Sequence, residues 1–147
     1  MYAVRMWVTT HVLAGLGIAA ALGGPWWLLV ILVVAAHVLM DVVPHWDYTI
    51  SRHPVLFGWC DFIASFAAFW IAWLLLGYPW WIAFMGLVSG APDWDVLIWI
   101  ARGEKGRKYF PSHWDGFPHG RSGPVWGIGV QVVIMAVSVA VVLAMRP

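Results

Sequence analysis

The sequence predicts an all-α fold: a single-domain, polytopic integral membrane helix bundle of about five transmembrane helices. Three observations carry this expectation. Of 147 residues, 63% are hydrophobic and only 10% are charged, where a soluble domain carries about 25% charged residues. The apolar residues fall into five runs, each close to the ~20 residues that span a bilayer. Many of the 13 Trp lie near the ends of those runs, where an indole anchors at the water–lipid boundary. A net charge of +1 indicates no nucleic-acid surface. The single cysteine, Cys60, excludes an internal disulfide and a cysteine zinc cage.

The first run covers roughly 6–22. It opens like a signal peptide, with Arg5 ahead of an apolar stretch. It shows no small-residue cleavage site and carries His11, so it reads as a retained helix. Gly23-Gly24-Pro25 makes a tight turn into the second run, 26–43. That run ends in His37-Val-Leu-Met-Asp41-Val-Val-Pro44-His45-Trp46-Asp47. His37 and Asp41 are four apart and share one helix face. Pro44 stops the helix and turns His45 and Asp47 back toward the same end.

After a polar stretch, 44–56, the third run covers 57–76, with Asp61 about one turn inside it. Gly77-Tyr78-Pro79 turns the chain into the fourth run, 79–100. Gly90 and Pro92 are expected to break this helix inside the membrane. A break there is tolerable only where the freed backbone lines a cavity. Asp93 and Asp95 flank the new helix start, where the dipole favours negative charge. The second polar stretch, 101–123, contains Ser112-His113-Trp114-Asp115-Gly116-Phe117-Pro118-His119-Gly120, and the fifth run, 124–145, carries Gln131.

If all five runs span, every Lys and Arg except Arg146 falls on one side. The positive-inside rule makes that side cytoplasmic and places the N-terminus there. Every His and every Asp then lies in the cytoplasmic half or its loops. A polar chamber open to the cytoplasm is the simplest account, because ionisable groups in a membrane default to function. Imidazole plus carboxylate without thiolate suits zinc first, with manganese or iron as alternatives. One metal, or two bridged by a carboxylate, would activate water for hydrolysis. Arg121 at the rim could hold a phosphate bidentately.

Thr10-His11, His37-x3-Asp41-x2-Pro44-His45-x-Asp47, Gly90-x-Pro92-Asp93-x-Asp95 and His113-x5-His119 together resemble the membrane-bound metal-dependent hydrolase family, small prokaryotic inner-membrane proteins. The likeness is to a variant group with a Pro-His-Trp-Asp segment. In the better-known members the His-x3-Asp motif comes last; here it precedes Pro-Asp-x-Asp. The resemblance implies metal-dependent hydrolysis at the inner membrane.

The expected metal ligands are His11, His37, Asp41, His45, Asp93, His113 and His119, some directly and some in support. Asp95 or Asp47 would be the general base. Each has a plainer reading. His11 could bond a helix carbonyl, His37 and Asp41 could be a structural pair, and Asp93 could cap a half-helix. His45 with Asp47, and His113 with His119, could be ordinary loop residues. Asp61 could pair with Arg52 or a His or bind metal, His53 and Asp115 read as loop polar groups, and Gln131 as a bridge between helices. The expected function is a metal-dependent hydrolase acting on a membrane-borne, lipid-like ester or phosphoester. The alternative is a non-enzymatic subunit of a larger membrane complex or a homo-oligomer, ligating haem or a pigment through His11 or His37.

Overall fold

The structure is a computed structural model that describes residues 6–47, 51–103, 105–114 and 116–147. Arg5 and Asp115 therefore lie outside the described residues. Among the described residues the chain is all helical and contains no strand. The helices are α1 (Val8–Leu22), α2 (Trp26–Val42), α3 (Pro54–Trp70), α4 (Trp80–Gly90), α5 (Trp94–Ala101) and α6 (Pro124–Ala144). A π-helical turn, Ile71–Leu75, prolongs α3, and a 3-10 turn, Ala91–Asp93, joins α4 to α5. The bundle thus has five helical rods near the five apolar runs, with ends displaced by a few residues. The α1–α2 and α3–α4 turns rest on Gly23, Gly24 and Gly77, whose φ values of 57, 94 and 77° are cheap only for glycine.

The expected break in the fourth run is milder than the sequence suggests. Gly90 and Ala91 keep right-handed helical φ values of −82 and −60°. The rod tightens by one 3-10 turn and continues, because proline is tolerated in the first turn of a new helical segment.

Helix α1 is the centre of the bundle and packs against α2, α3, α4 and α6. Small residues allow the approach. A Cβ on Gly86 would stand 2.9 Å from the Val12 carbonyl oxygen, and one on Gly15 would collide with the Ser89 side chain. The start of α1 is held by other elements. Trp7 offers no side-chain cap. Instead Asp61 of α3 accepts the Val8 and Thr9 N–H groups, each at 2.8 Å, and the Thr9 hydroxyl at 2.6 Å. This trans cap replaces the ion pair or metal role considered for Asp61. Gln131 accepts the Trp7 N–H at 2.7 Å and donates to the Trp46 carbonyl at 2.9 Å, so it does bridge elements.

The distribution of polarity is inverted. Leu39, Leu75 and Trp126 are 70, 75 and 79% exposed, while His11, His37 and Gln131 are fully buried. The end of the bundle away from those polar residues is filled by Leu16, Leu29, Ile82, Met85 and Val142. There the Tyr78 hydroxyl donates to the Val142 carbonyl at 2.7 Å. Among the described residues two helices are long and apolar enough to cross a membrane, Pro54–Leu75 and Pro124–Ala144. Helices α1 and α2 have 15 and 17 residues. At 1.5 Å per residue α1 is about 22 Å long, shorter than a ~30 Å hydrocarbon layer.

Candidate metal centre

Four segments bring five ionisable side chains to one buried point. His11 comes from the second turn of α1, and His37 and Asp41 from the last turns of α2. Asp93 comes from the 3-10 turn after α4, and His113 from a second 3-10 turn, Pro111–His113. All five are at most 4% exposed. The ligand atoms of His11, His37 and Asp93 lie within 4.8 Å of one another, as do those of His37, Asp41 and His113.

The individual distances are informative. His37 Nε2 is 3.3 Å from Asp41 Oδ2, and His11 Nε2 is 3.5 Å from Asp41 Oδ1. His113 Nε2 is 3.4 Å from Asp93 Oδ1 and 3.9 Å from Asp41 Oδ2, and His11 Nε2 is 4.0 Å from Asp93 Oδ2. A charge-assisted hydrogen bond would draw such pairs to about 2.8 Å. Ligands held 2.0–2.2 Å from one tetrahedral ion are instead roughly 3.3–3.6 Å apart. The three Nε2 atoms, both Asp93 oxygens and Asp41 Oδ2 are buried with no hydrogen-bond partner. An orphaned buried polar group costs about 1–3 kcal/mol, and more when charged. Six of them converging on one point fit a cation. Two carboxylates would balance a divalent charge and lower the cost of burying it.

Two of the imidazoles are aimed by a second contact. His113 Nδ1–H donates to Asp95 Oδ1 at 2.7 Å. Asp95 Oδ2 accepts the Phe110 N–H at 2.6 Å, so both Asp95 oxygens are engaged. His37 Nδ1–H donates to the Ser89 carbonyl at 2.8 Å. Because a carbonyl and a carboxylate only accept, Nδ1 carries the proton in both rings and Nε2 presents its lone pair to the centre. The Ser89 carbonyl is available for a local reason. Val88 O accepts the Ala91 N–H in the 3-10 register. The next donor in that register would be Pro92, which has no N–H. His11 is aimed by packing: its ring stacks on His37 at a centroid distance of 3.9 Å. The Phe110 ring closes the side, 5.7 Å from His37 and 5.9 Å from His113.

Of the expected ligands, His11, His37, Asp41, Asp93 and His113 are therefore brought together. His45 and His119 are not members of either close group. They sit at an adjoining corner, where the chain after His119 runs along the end of α2. Gly120 N–H donates to the Asp41 carbonyl at 3.0 Å and Ser122 N–H to the His45 carbonyl at 3.1 Å, around a parallel bridge between His45 and Arg121. The bridge needs Gly120, since a Cβ there would fall on the carbonyls of Val42 and Val43. Burial pushes the His45 and His119 imidazoles below the ordinary histidine range. Asp47 is buried beside this corner, and the charge on its carboxylate reaches His45.

Ser89 and Phe110 were missed in the sequence. A backbone carbonyl leaves no residue-type signal, although Pro92 three positions later was the available clue. Phe110 is one aromatic among many and carries no periodic mark. No family model, no curated protein and no solved structure matches the chain.

Proposed function

We propose that the chain is a metal-dependent hydrolase of the prokaryotic inner membrane, with its site and N-terminus on the cytoplasmic side. The observation that supports the metal is the set of unpartnered, buried Nε2 and carboxylate atoms at ligand-to-ligand spacing. His11, His37, His113, Asp41 and Asp93 would hold one divalent ion. Zinc suits the donors first, and manganese and iron suit them next. Such an ion acidifies water and polarises a carbonyl or phosphoryl oxygen.

Asp95 was expected as a general base. With both oxygens hydrogen-bonded, it is better read as the residue that positions His113. Asp47 is the other carboxylate assigned to take the proton, and the charge on it reaches His45. The membrane reading is supported by the inverted polarity: an apolar exterior of this extent is foreign to soluble monomers, and the interior is where ionisable residues belong in a bilayer. In this reading the long rods carry the short α1 as a sheltered central helix in a polytopic bundle. Arg102, Lys105, Arg107 and Arg121 are exposed on the loops at the end where the centre lies, as the positive-inside rule asks. A centre built at helix ends, ringed by apolar surface, favours a membrane-borne ester or phosphoester. The exposed Arg121 would meet a phosphate.

The pigment-ligating alternative requires an imidazole that faces an open apolar slot. His11 and His37 instead stack on each other and face Asp41, which weighs against it. Elemental analysis and an absorption spectrum of the purified protein test the proposal. The expected result is stoichiometric zinc, manganese or iron, lost in His37→Ala and in Asp93→Ala. A Soret-type band, or a folded wild-type protein that takes up no divalent metal, would overturn it. Hydrolysis is then sought against a panel of lipid esters and phosphoesters in mixed micelles.

A further inference from the structure

The strap between α5 and His113 concentrates charge that the metal centre does not use. Residues 102–108 hold four of the chain's eight Lys and Arg, with one acidic residue, Glu104, among them. Glu104 lies outside the described residues. Arg102, Lys105 and Arg107 are exposed, while Lys108 is buried. Three of the four cations lie over aromatic rings. Arg102 Cζ is 5.3 Å from the Tyr109 centroid, Arg107 Cζ is 4.0 Å from that of Trp114, and Lys108 Nζ is 4.9 Å from that of Trp99. All three are inside the ~6 Å reach of a cation–π attraction. The Arg102 guanidinium also donates to the Tyr109 hydroxyl.

These pairs belong to one patch. Trp99 Nε1–H donates to the Gly106 carbonyl at 3.2 Å, and Trp114 Nε1–H donates to the Lys108 carbonyl at 3.0 Å. Gly106 precedes Arg107 and Tyr109 follows Lys108, so the contacts tie both arginines and both indoles to one short segment. That segment is pinned to α5. Asp95 and Trp99 are four apart and share a helix side, and Asp95 takes the Phe110 N–H and the His113 Nδ1–H. The cations are therefore held in place before any partner arrives, which lowers the ordering cost of a contact. Tyr109, Trp114 and Trp94 are exposed as well. Water rewards the cations but not the rings, and hydrocarbon rewards the rings but not the cations. The headgroup level of a bilayer takes both, because Tyr and Trp concentrate there and a guanidinium over a ring keeps N–H groups for a phosphate.

We propose that Arg102, Lys105 and Arg107, with Tyr109 and Trp114, form a docking surface for the headgroups of anionic phospholipids in the cytoplasmic leaflet. Charge complementarity is the argument: the leaflet surface is negative, and each basic residue close to it is worth about fivefold in association. The positive-inside rule orients a chain by counting charge, whereas this surface makes lipid selection a property of three named side chains on a fixed strap. The inference rests on the membrane reading proposed above and is independent of the metal.

The full-length, chelator-stripped protein is held in non-ionic detergent with equimolar phosphatidylglycerol and phosphatidylcholine, and the lipids it retains are counted by native mass spectrometry. Wild type is expected to retain phosphatidylglycerol over phosphatidylcholine by more than about tenfold. The triple variant Arg102→Gln, Lys105→Gln, Arg107→Gln should lose that preference. Arg146→Gln, at the far end of α6, should keep it. The double variant Arg102→Lys, Arg107→Lys keeps the charges and should keep it too; a loss there would show that substitution acts through the fold and would overturn the inference. Equal retention of the two lipids by wild type, or an undiminished preference in the triple variant, overturns it as well. Displacement of phosphatidylglycerol by inorganic phosphate at matched ionic strength would assign the surface to a free anion and overturn the lipid. A chain that stays in solution without detergent and retains neither lipid overturns the membrane reading itself.

Discussion

The start of α1 offers two neighbouring treatments of buried polarity. At Trp7–Thr9, Asp61 and Gln131 meet backbone N–H groups, a hydroxyl and a carbonyl at hydrogen-bond distance. Two residues further on, His11 enters a cluster where three Nε2 atoms and two carboxylates stand 3.3–4.0 Å apart. In sequence the two regions look alike, each a polar residue in an apolar run. Their bonding is opposite. The first is satisfied within the chain and needs nothing else. In the second, the three Nε2 atoms, both Asp93 oxygens and Asp41 Oδ2 find no hydrogen-bond partner within the chain. A buried polar residue therefore speaks for structure or for function according to whether its bonds close.

The largest test of this contrast removes a ligand. His37→Ala or Asp93→Ala should abolish stoichiometric metal, while Asp61→Ala should leave the metal count unchanged; elemental analysis of the three proteins reads both arms. The converse effect comes next. Asp61→Ala orphans the α1 N-terminal donors and should destabilise the fold by about 2 kcal/mol in detergent unfolding. Metal loss in that variant would show that the clasp and the centre are one unit. A smaller effect is expected at the residue between the two roles. Asp95→Ala frees the His113 ring without deleting a ligand, and should weaken metal affinity by about 10- to 100-fold in a chelator competition. Affinity equal to wild type would remove Asp95 from the positioning role.

The smallest effect is a pH dependence at the adjoining corner of the metal-stripped protein. Burial holds His45 and His119 below the ordinary histidine pKa, so below about 6.5 the unfolded chain binds more protons than the folded one. Their neutral burial contributes fully above that pH. The contribution is lost as pH falls from there through the folded values. Unfolding midpoints between pH 7.5 and 5.5 should therefore fall, and less so in the His45→Ala, His119→Ala double variant. A flat profile in the stripped wild type would contradict this.

Much of the fold was legible because apolar run length and Gly-Pro turns are local properties. The two tight turns and all five rods follow from them. The severity of the break at Gly90–Pro92 did not, since proline in a first helical turn and proline in a broken helix look the same in sequence. The site was legible in part. His37 and Asp41 share a face by spacing alone, and Asp93 stood out as a carboxylate in an apolar run. That His113 rather than His119 reaches them depends on Phe110 and Asp95 fixing the loop, and no spacing rule reports such contacts.

By itself the sequence determined the helical rods, their apolar exteriors and the gathering of His and Asp at one end, because each follows from composition and periodicity along the chain. Only the tertiary structure decided that Asp61 and Gln131 close their hydrogen bonds, that Asp95 orients a ring, and that three Nε2 atoms, both Asp93 oxygens and Asp41 Oδ2 come together without hydrogen-bond partners. Those outcomes depend on distances between segments far apart in the chain, and hydrogen bonds and metal coordination are won or lost over fractions of an ångström.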